Sequence, residues 1–473
     1  MAHSPIKQPN RALQVFLDEV GWRPETLARK INAELQRNGE KRRVHEKTPY
    51  RWLKGEVPHA PVPDIVVHLL TKARGQPVSF DAVWPNTTRR CLSWTEARDG
   101  MDVALNHTGL LQLLEEWSHR MLRRTFITLT GAALIGPAWR WLEVPPSVPK
   151  LTGKSTHVSP DMLSLIETIV TGAQKLDQQH GSAAADFVAA QFAAVSRLLR
   201  HSSYDAATGK RLCAALAQLA QTSGFMEHEA LRDSHAQYWY LAGLHAAHCA
   251  GDRSLTASIY ALMSNQASVL GQSSEALQLA AAAQEAAQDA PAAVQALVAA
   301  RSTVAYAQAG DLAGVQRARD RTAALIEDAD RHAEQRPTWT GYVTRTETDA
   351  IAGRALVILA RHTPGRRRNA LITEAETLLR ARALDPTSDN QRSALRHGAW
   401  LSLAYLHAGD LDQALLAGRT AVHRLPTVTS ARCAALLAEL RSGLAPHAQR
   451  TRDVRDLIHD MDRQLSSTRG VVR

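Results

Sequence analysis

Two groups of residues have types and spacings that could do chemistry. The first runs from Lys41 to Lys54 and comprises Lys41, Arg42, Arg43, Lys47, Thr48, Tyr50, Arg51 and Lys54. Closely spaced cations neutralise phosphates, and guanidinium or hydroxyl groups on a short helix can reach base edges. The competing reading of a basic run is a solvated surface. The second group is His228, His235, His245, His248 and Cys249. His245 and His248 stand three positions apart and could face one ion from a helix. HEALRDSH, beginning at His228, lacks the second histidine four positions on that a zinc-protease helix requires. These residues are therefore read as ordinary helix histidines, with no metal assigned. Tyr238, Trp239 and Tyr240 could line a groove, although neighbouring aromatics often include core members.

No P-loop, Rossmann glycine pattern, GxSxG elbow or kinase set is present, so neither an enzyme nor a cofactor is expected. Cys91, Cys213, Cys249 and Cys433 are far apart and form no CxxC pair, which argues against a disulfide framework or zinc ribbon. Charge is uneven along the chain. Met1 to Gly55 holds twelve Lys and Arg against six Asp and Glu, so this stretch carries +6 of the net +10. Such a concentration suits a polyanionic partner.

The elements that must position these residues read as helices throughout. Aromatic content is 5%, and Ala, Leu, Arg and Gln dominate the second half, a composition for closely packed helices. Leu13, Phe16, Leu17 and Val20 recur at helical spacing up to Gly21. Pro24 then opens a helix with Leu27, Ile31 and Leu35 on one face. A polar loop from Arg37 to His45 leads to a short helix, Thr48 to Lys54, stopped by Gly55 and Pro58. On it, Trp52 and Leu53 should pack inward. A further helix, Pro63 to Ala73, completes a four-helix domain over 1–85.

Residues 93–142 read as a connecting helical region and 143–160 as a linker, with Pro145, Pro146, Pro149 and Pro160. Within the connecting region Arg123 and Arg124 precede TFITLTGAALIGPAW, which is similar to a twin-arginine export signal. Its apolar run falls short of the roughly 20 residues of a membrane span and lies behind a domain that looks folded. A buried interdomain helix closed by Trp139 and Trp141 is expected instead. The first thirty residues are polar and charged, so the expected location is cytoplasmic, with no membrane partner.

Residues 161–465 read as repeated helix pairs. GAWLSLAYLHAGDLDQALLAGRTAVHRLP, Gly398 to Pro426, resembles the tetratricopeptide pattern through Leu401, Tyr405, Gly409, Asp410, Ala414, Ala421 and Pro426. Small alanines let one helix approach its neighbours, glycine supplies the turn and proline ends the unit. Related turns at Gly271 and at Gly310-Asp311, and an exit at Pro386, set a period of about 40 residues and predict four to six pairs.

The run His45 to Pro58 resembles the end of the helix-turn-helix of lambda-repressor-like regulators, except that the stretch from Leu35 to Thr48 exceeds the usual turn of about three to four residues. The whole chain resembles actinobacterial helix-turn-helix regulators with carboxy-terminal tetratricopeptide repeats. The resemblance implies an all-α fold, a helix-turn-helix bundle followed by a TPR-like α-solenoid. It further implies a transcriptional regulator that binds double-stranded DNA through Lys41, Arg42, Arg43, Lys47, Thr48, Tyr50, Arg51 and Lys54. A homodimer interface is expected beyond Ser93, and a peptide or protein ligand in the array's groove. The alternative is a repeat scaffold whose amino-terminal bundle only packs.

Overall fold

Helix starts and stops follow the capping chemistry of the sequence. The computed structural model describes residues 9–37, 43–56, 58, 62–74, 78, 83–84, 106–120, 129, 134–135, 157–449 and 451–471. Among these the chain is helical, with two isolated bridges and no strand. The expected segment around Arg123 and Arg124, the helix closed by Trp139 and Trp141, and Cys91 lie outside the described residues. Contacts divide the chain into two units: residues 1–104, 112–130 and 232–235, and residues 105–111, 131–231 and 236–473.

The first unit holds α1 (Arg11–Glu19), α2 (Pro24–Arg37), α3 (Thr48–Leu53) and α4 (Val62–Arg74). Asn10 caps α1 by accepting from the Leu13 amide at 2.9 Å. Its own amide donates to the Leu53 carbonyl and its side chain to the Val83 carbonyl, each at 2.9 Å, so one residue ties three segments together. Gly21 takes φ +65°, and the Trp22 amide returns to the Leu17 carbonyl to close α1. Leu13 and Leu17 of α1, Leu27, Ile31 and Leu35 of α2, Trp52 of α3 and Ile65, Val66 and Leu70 of α4 share one core with Trp84. α1 and α2 each pack on both α3 and α4.

α5 (His107–Arg120) follows, and then the helices of the second unit: α6 (Pro160–His180), α7 (Ala185–His201), α8 (Ala206–Glu229) and α9 (Asp233–Ala250). Five pairs complete it. They are α10 (Arg253–Val269) with α11 (Ser273–Ala286), α12 (Ala292–Gln308) with α13 (Leu312–Arg331), α14 (Arg345–Ala360) with α15 (Gly365–Ala383), α16 (Gln391–Ala408) with α17 (Leu411–Arg424), and α18 (Ala431–Leu444) with α19 (Arg452–Val471). The first helix of each pair stacks on the first helix of the next, the arrangement of a helical repeat.

One turn recurs. At Gly251, Gly271, Gly310 and Gly409 the backbone is left-handed, and the amide of the next residue bonds the carbonyl five positions back. At Asp252, Asp311 and Asp410 that next residue also caps the following helix, so stop and start are fused in a dipeptide. The array also closes on itself. α6 packs on α16 and α8 on α18, while the Thr429 amide donates to His180 and the Ser182 amide to Thr429, at 3.0 and 2.8 Å. Gly181 between them has φ +67°, and a Cβ there would run into the Thr429 carbonyl. The sequence reading expects a concave groove along the array; its two ends also meet through these contacts.

Candidate functional site

Two regions have the makings of a site. In the first unit, α3 is anchored by buried Trp52 and Pro49, with Leu53 half-buried against the same core. Trp52 meets Trp84 edge to face at 6.4 Å, and the Trp84 indole donates to the Pro63 carbonyl at 3.3 Å. The approach to α3 is also fixed: Asn32 donates to the Val44 carbonyl at 2.8 Å and accepts from its amide at 2.7 Å. That clasp explains how a long connection still delivers α3 to the face of α2.

With its apolar side committed to the core, α3 leaves Lys47, Tyr50, Arg51 and Lys54 exposed, as is Arg43 before it, and Thr48 half-buried. Lys41 and Arg42 lie outside the described residues. Two of the exposed groups are already engaged. The Tyr50 hydroxyl donates to Glu25 Oε1 at 2.6 Å, a bond that lowers the carboxyl's pKa and raises the phenol's. Arg51 Nε sits 2.8 Å from Glu56 Oε2. Pattern reading picked out the cations but not these acids; Glu56, five positions beyond Arg51, was the visible signal.

The second region is the interior of the array, which sequence reasoning missed. Here α6, α8, α14 and α16 bring together buried Asp177, Glu229, Glu347, Arg354, Arg392 and His397 with half-buried Arg396. Arg396 pairs with Glu229 at 2.5 Å, Arg382 with Glu347 at 3.1 Å and Arg392 with Asp177. Ser430 donates to Glu229 at 2.6 Å and Ser393 to Glu347 at 2.8 Å. Burial opposes ionisation of both glutamates, but their cationic and hydrogen-bonding neighbours outweigh it and hold each pKa at about 2. For Asp177 burial wins over Arg392 and the pKa rises. Burial likewise lowers the pKa of His397 against the pull of Glu347.

Arg354 and Arg301 are different. Arg354 Nη2 donates to the neutral Asn265 at 2.7 Å, Arg301 Nη2 to the Tyr342 hydroxyl at 3.1 Å, and among the described residues no carboxylate pairs with either. The signal lay in AIAGRALVILA, where Arg354 is the one charge in an apolar helical run.

The histidine group is dispersed. His228, His245 and His248 are buried in α8 and α9, and among the described residues no cluster of three or more His, Cys, Asp or Glu is placed to hold a metal. Tyr238, Trp239 and Tyr240 are core, with Trp239 edge-on to Phe192 at 4.9 Å. Cys213, Cys249 and Cys433 are buried and none of them is in a disulfide. No helix among the described residues is long and apolar enough to cross a membrane. Residues 13–83 match the sequence family described as the SP15 N-terminal domain. No curated protein and no solved structure matches the chain.

Proposed function

We propose that this chain is a cytoplasmic transcriptional regulator, in which the first unit is a helix-turn-helix that binds double-stranded DNA and the second a TPR-like array that pairs two copies and receives a signal. One observation carries the reading. α3 is pinned through Trp52 while Lys47, Tyr50, Arg51 and Lys54 stay exposed beside it, the division of labour of a helix that enters a major groove. The excess of +6 over the first 55 residues supplies the field that draws such a helix to phosphate. Arg43, with Lys41 and Arg42, would hold the backbone alongside.

The rival is a scaffold in which the first unit only packs, and the Tyr50–Glu25 and Arg51–Glu56 contacts favour it, because both groups already have partners. The two readings part on one measurement. The full chain carrying Arg51→Ala and Lys54→Ala should bind duplex DNA more weakly and with a shallower salt dependence, by about 1 in the log–log slope for each cation that sits on a phosphate. An unchanged affinity and slope in a folded double variant would leave the scaffold.

A further inference from the structure

We propose that the interior of the array binds a small molecule bearing an oxyanion and a short apolar body, with the anionic end taken by Arg354 and Arg301. This deepens the regulatory reading by naming the signal's chemistry, but it stands on different residues from those assigned to DNA. Three buried acids answer three arginines: Asp177 with Arg392, Glu229 with Arg396, Glu347 with Arg382. Arg354 and Arg301 remain as surplus positive charge, and each holds only a neutral partner. A buried guanidinium with no carboxylate in direct contact is expensive: burial together with the nearby Arg396 outweighs the more distant pull of Glu229 and Glu347 and brings the pKa of Arg354 down to about 9. Neutral hydrogen-bond partners leave that cost standing; an arriving carboxylate or phosphate removes it.

Space and unmet hydrogen bonds point to the same place. A cavity of about 100 Å³ is lined by Arg301, Tyr342, Arg354, Arg392 and His397. Arg301 Nη1, Arg392 Nε and His397 Nδ1 are buried there without a partner. A second cavity, of about 320 Å³, shares Asn265, Arg354 and Arg396 with the first, and its wall includes Val304, Ile358, Trp400 and Leu436. Arg354 thus stands between a small polar chamber and a larger one with an apolar side. Together they are at the low end of small-molecule sites. A ligand with its oxyanion on Arg354 and Arg301 and its body toward Trp400 uses both.

Titration calorimetry on the full chain with inorganic phosphate, octanoate and octyl phosphate tests this, and the three probes separate a bare anion, a carboxylate and a phosphate monoester. One site per chain is expected for at least one probe, with affinity reduced tenfold or more by Arg354→Met and by Arg301→Gln but unchanged by Arg51→Ala with Lys54→Ala. Removing the unpaired charge should also raise the melting temperature of the ligand-free Arg354→Met chain. If that variant does not fold, Arg301→Gln carries the binding arm alone. No saturable binding by any probe overturns the proposal, as does equal binding by the arginine variants. Loss of binding in the Arg51/Lys54 variant would place the anions on the first unit and overturn it equally. Retained DNA binding alongside any of these outcomes leaves the DNA reading intact.

Discussion

At the scale of single residues, chemistry in this protein is set by who answers each charge. Arg51 is exposed yet held by Glu56, so DNA would have to win it from an intramolecular acid. Glu56→Gln removes the competitor and should tighten duplex binding by up to about fivefold, the scale of an exposed ion pair of about 0.2–1 kcal/mol. Binding isotherms at one fixed salt concentration check this, and a weakened affinity would show that Glu56 positions Arg51 rather than restrains it. In the array the acids are buried and strongly answered. Glu229 and Glu347 keep pKa values of about 2 against an ordinary 4.5, so the folded chain binds their protons later than the unfolded chain does. Their stabilisation is whole above about pH 5 and drains away as pH falls toward 2. Urea midpoints should drop across that window, less steeply in Glu347→Gln. A midpoint flat from pH 5 to 3 would contradict the charge assignment.

At the scale of elements, the fused glycine–aspartate turns make each pair nearly self-specifying, whereas the closure of the array depends on one crossing between residues far apart in sequence. Gly181 adopts φ +67° with the Thr429 carbonyl where a Cβ would stand, and that closeness allows the two segments to exchange backbone hydrogen bonds. Gly181→Ala adds both backbone strain and a collision, and should cost about 1–3 kcal/mol. Hydrogen exchange should quicken at the Ser182 and Thr429 amides while the Gly409 turn keeps its protection. Uniform loss of protection across the array would instead mean that closure and repeats unfold as one. In the first unit the Asn32–Val44 clasp has the same logic, with one side chain replacing the short turn that the simplest motif would use.

For the whole molecule, the proposed regulator needs two DNA-reading heads, because one short helix contacts too few base pairs for a specific site. The basic first unit repels its own copy, which leaves the region beyond Ser93 to form the pair. Light scattering at moderate salt should therefore give twice 51.8 kDa for the full chain, and footprinting a site in two halves about 34 Å apart. A monomer with undiminished operator affinity would remove the need for pairing.

The sequence by itself determined the all-helical class, the positions of the helices that carry Trp52 and the repeats, and the basic character of the first 55 residues, because these depend on local periodicity, capping and summed charge. The Gly409–Asp410 turn is legible since its glycine and its cap are neighbours in the chain. Tertiary structure alone decided that the array's ends meet, that Asp177 answers Arg392 across 215 positions, and that Arg354 is buried without a carboxylate. Those facts turn on distance between residues remote in sequence. A charge reads the same in a sequence whether water or a protein interior surrounds it, yet its chemistry depends on which.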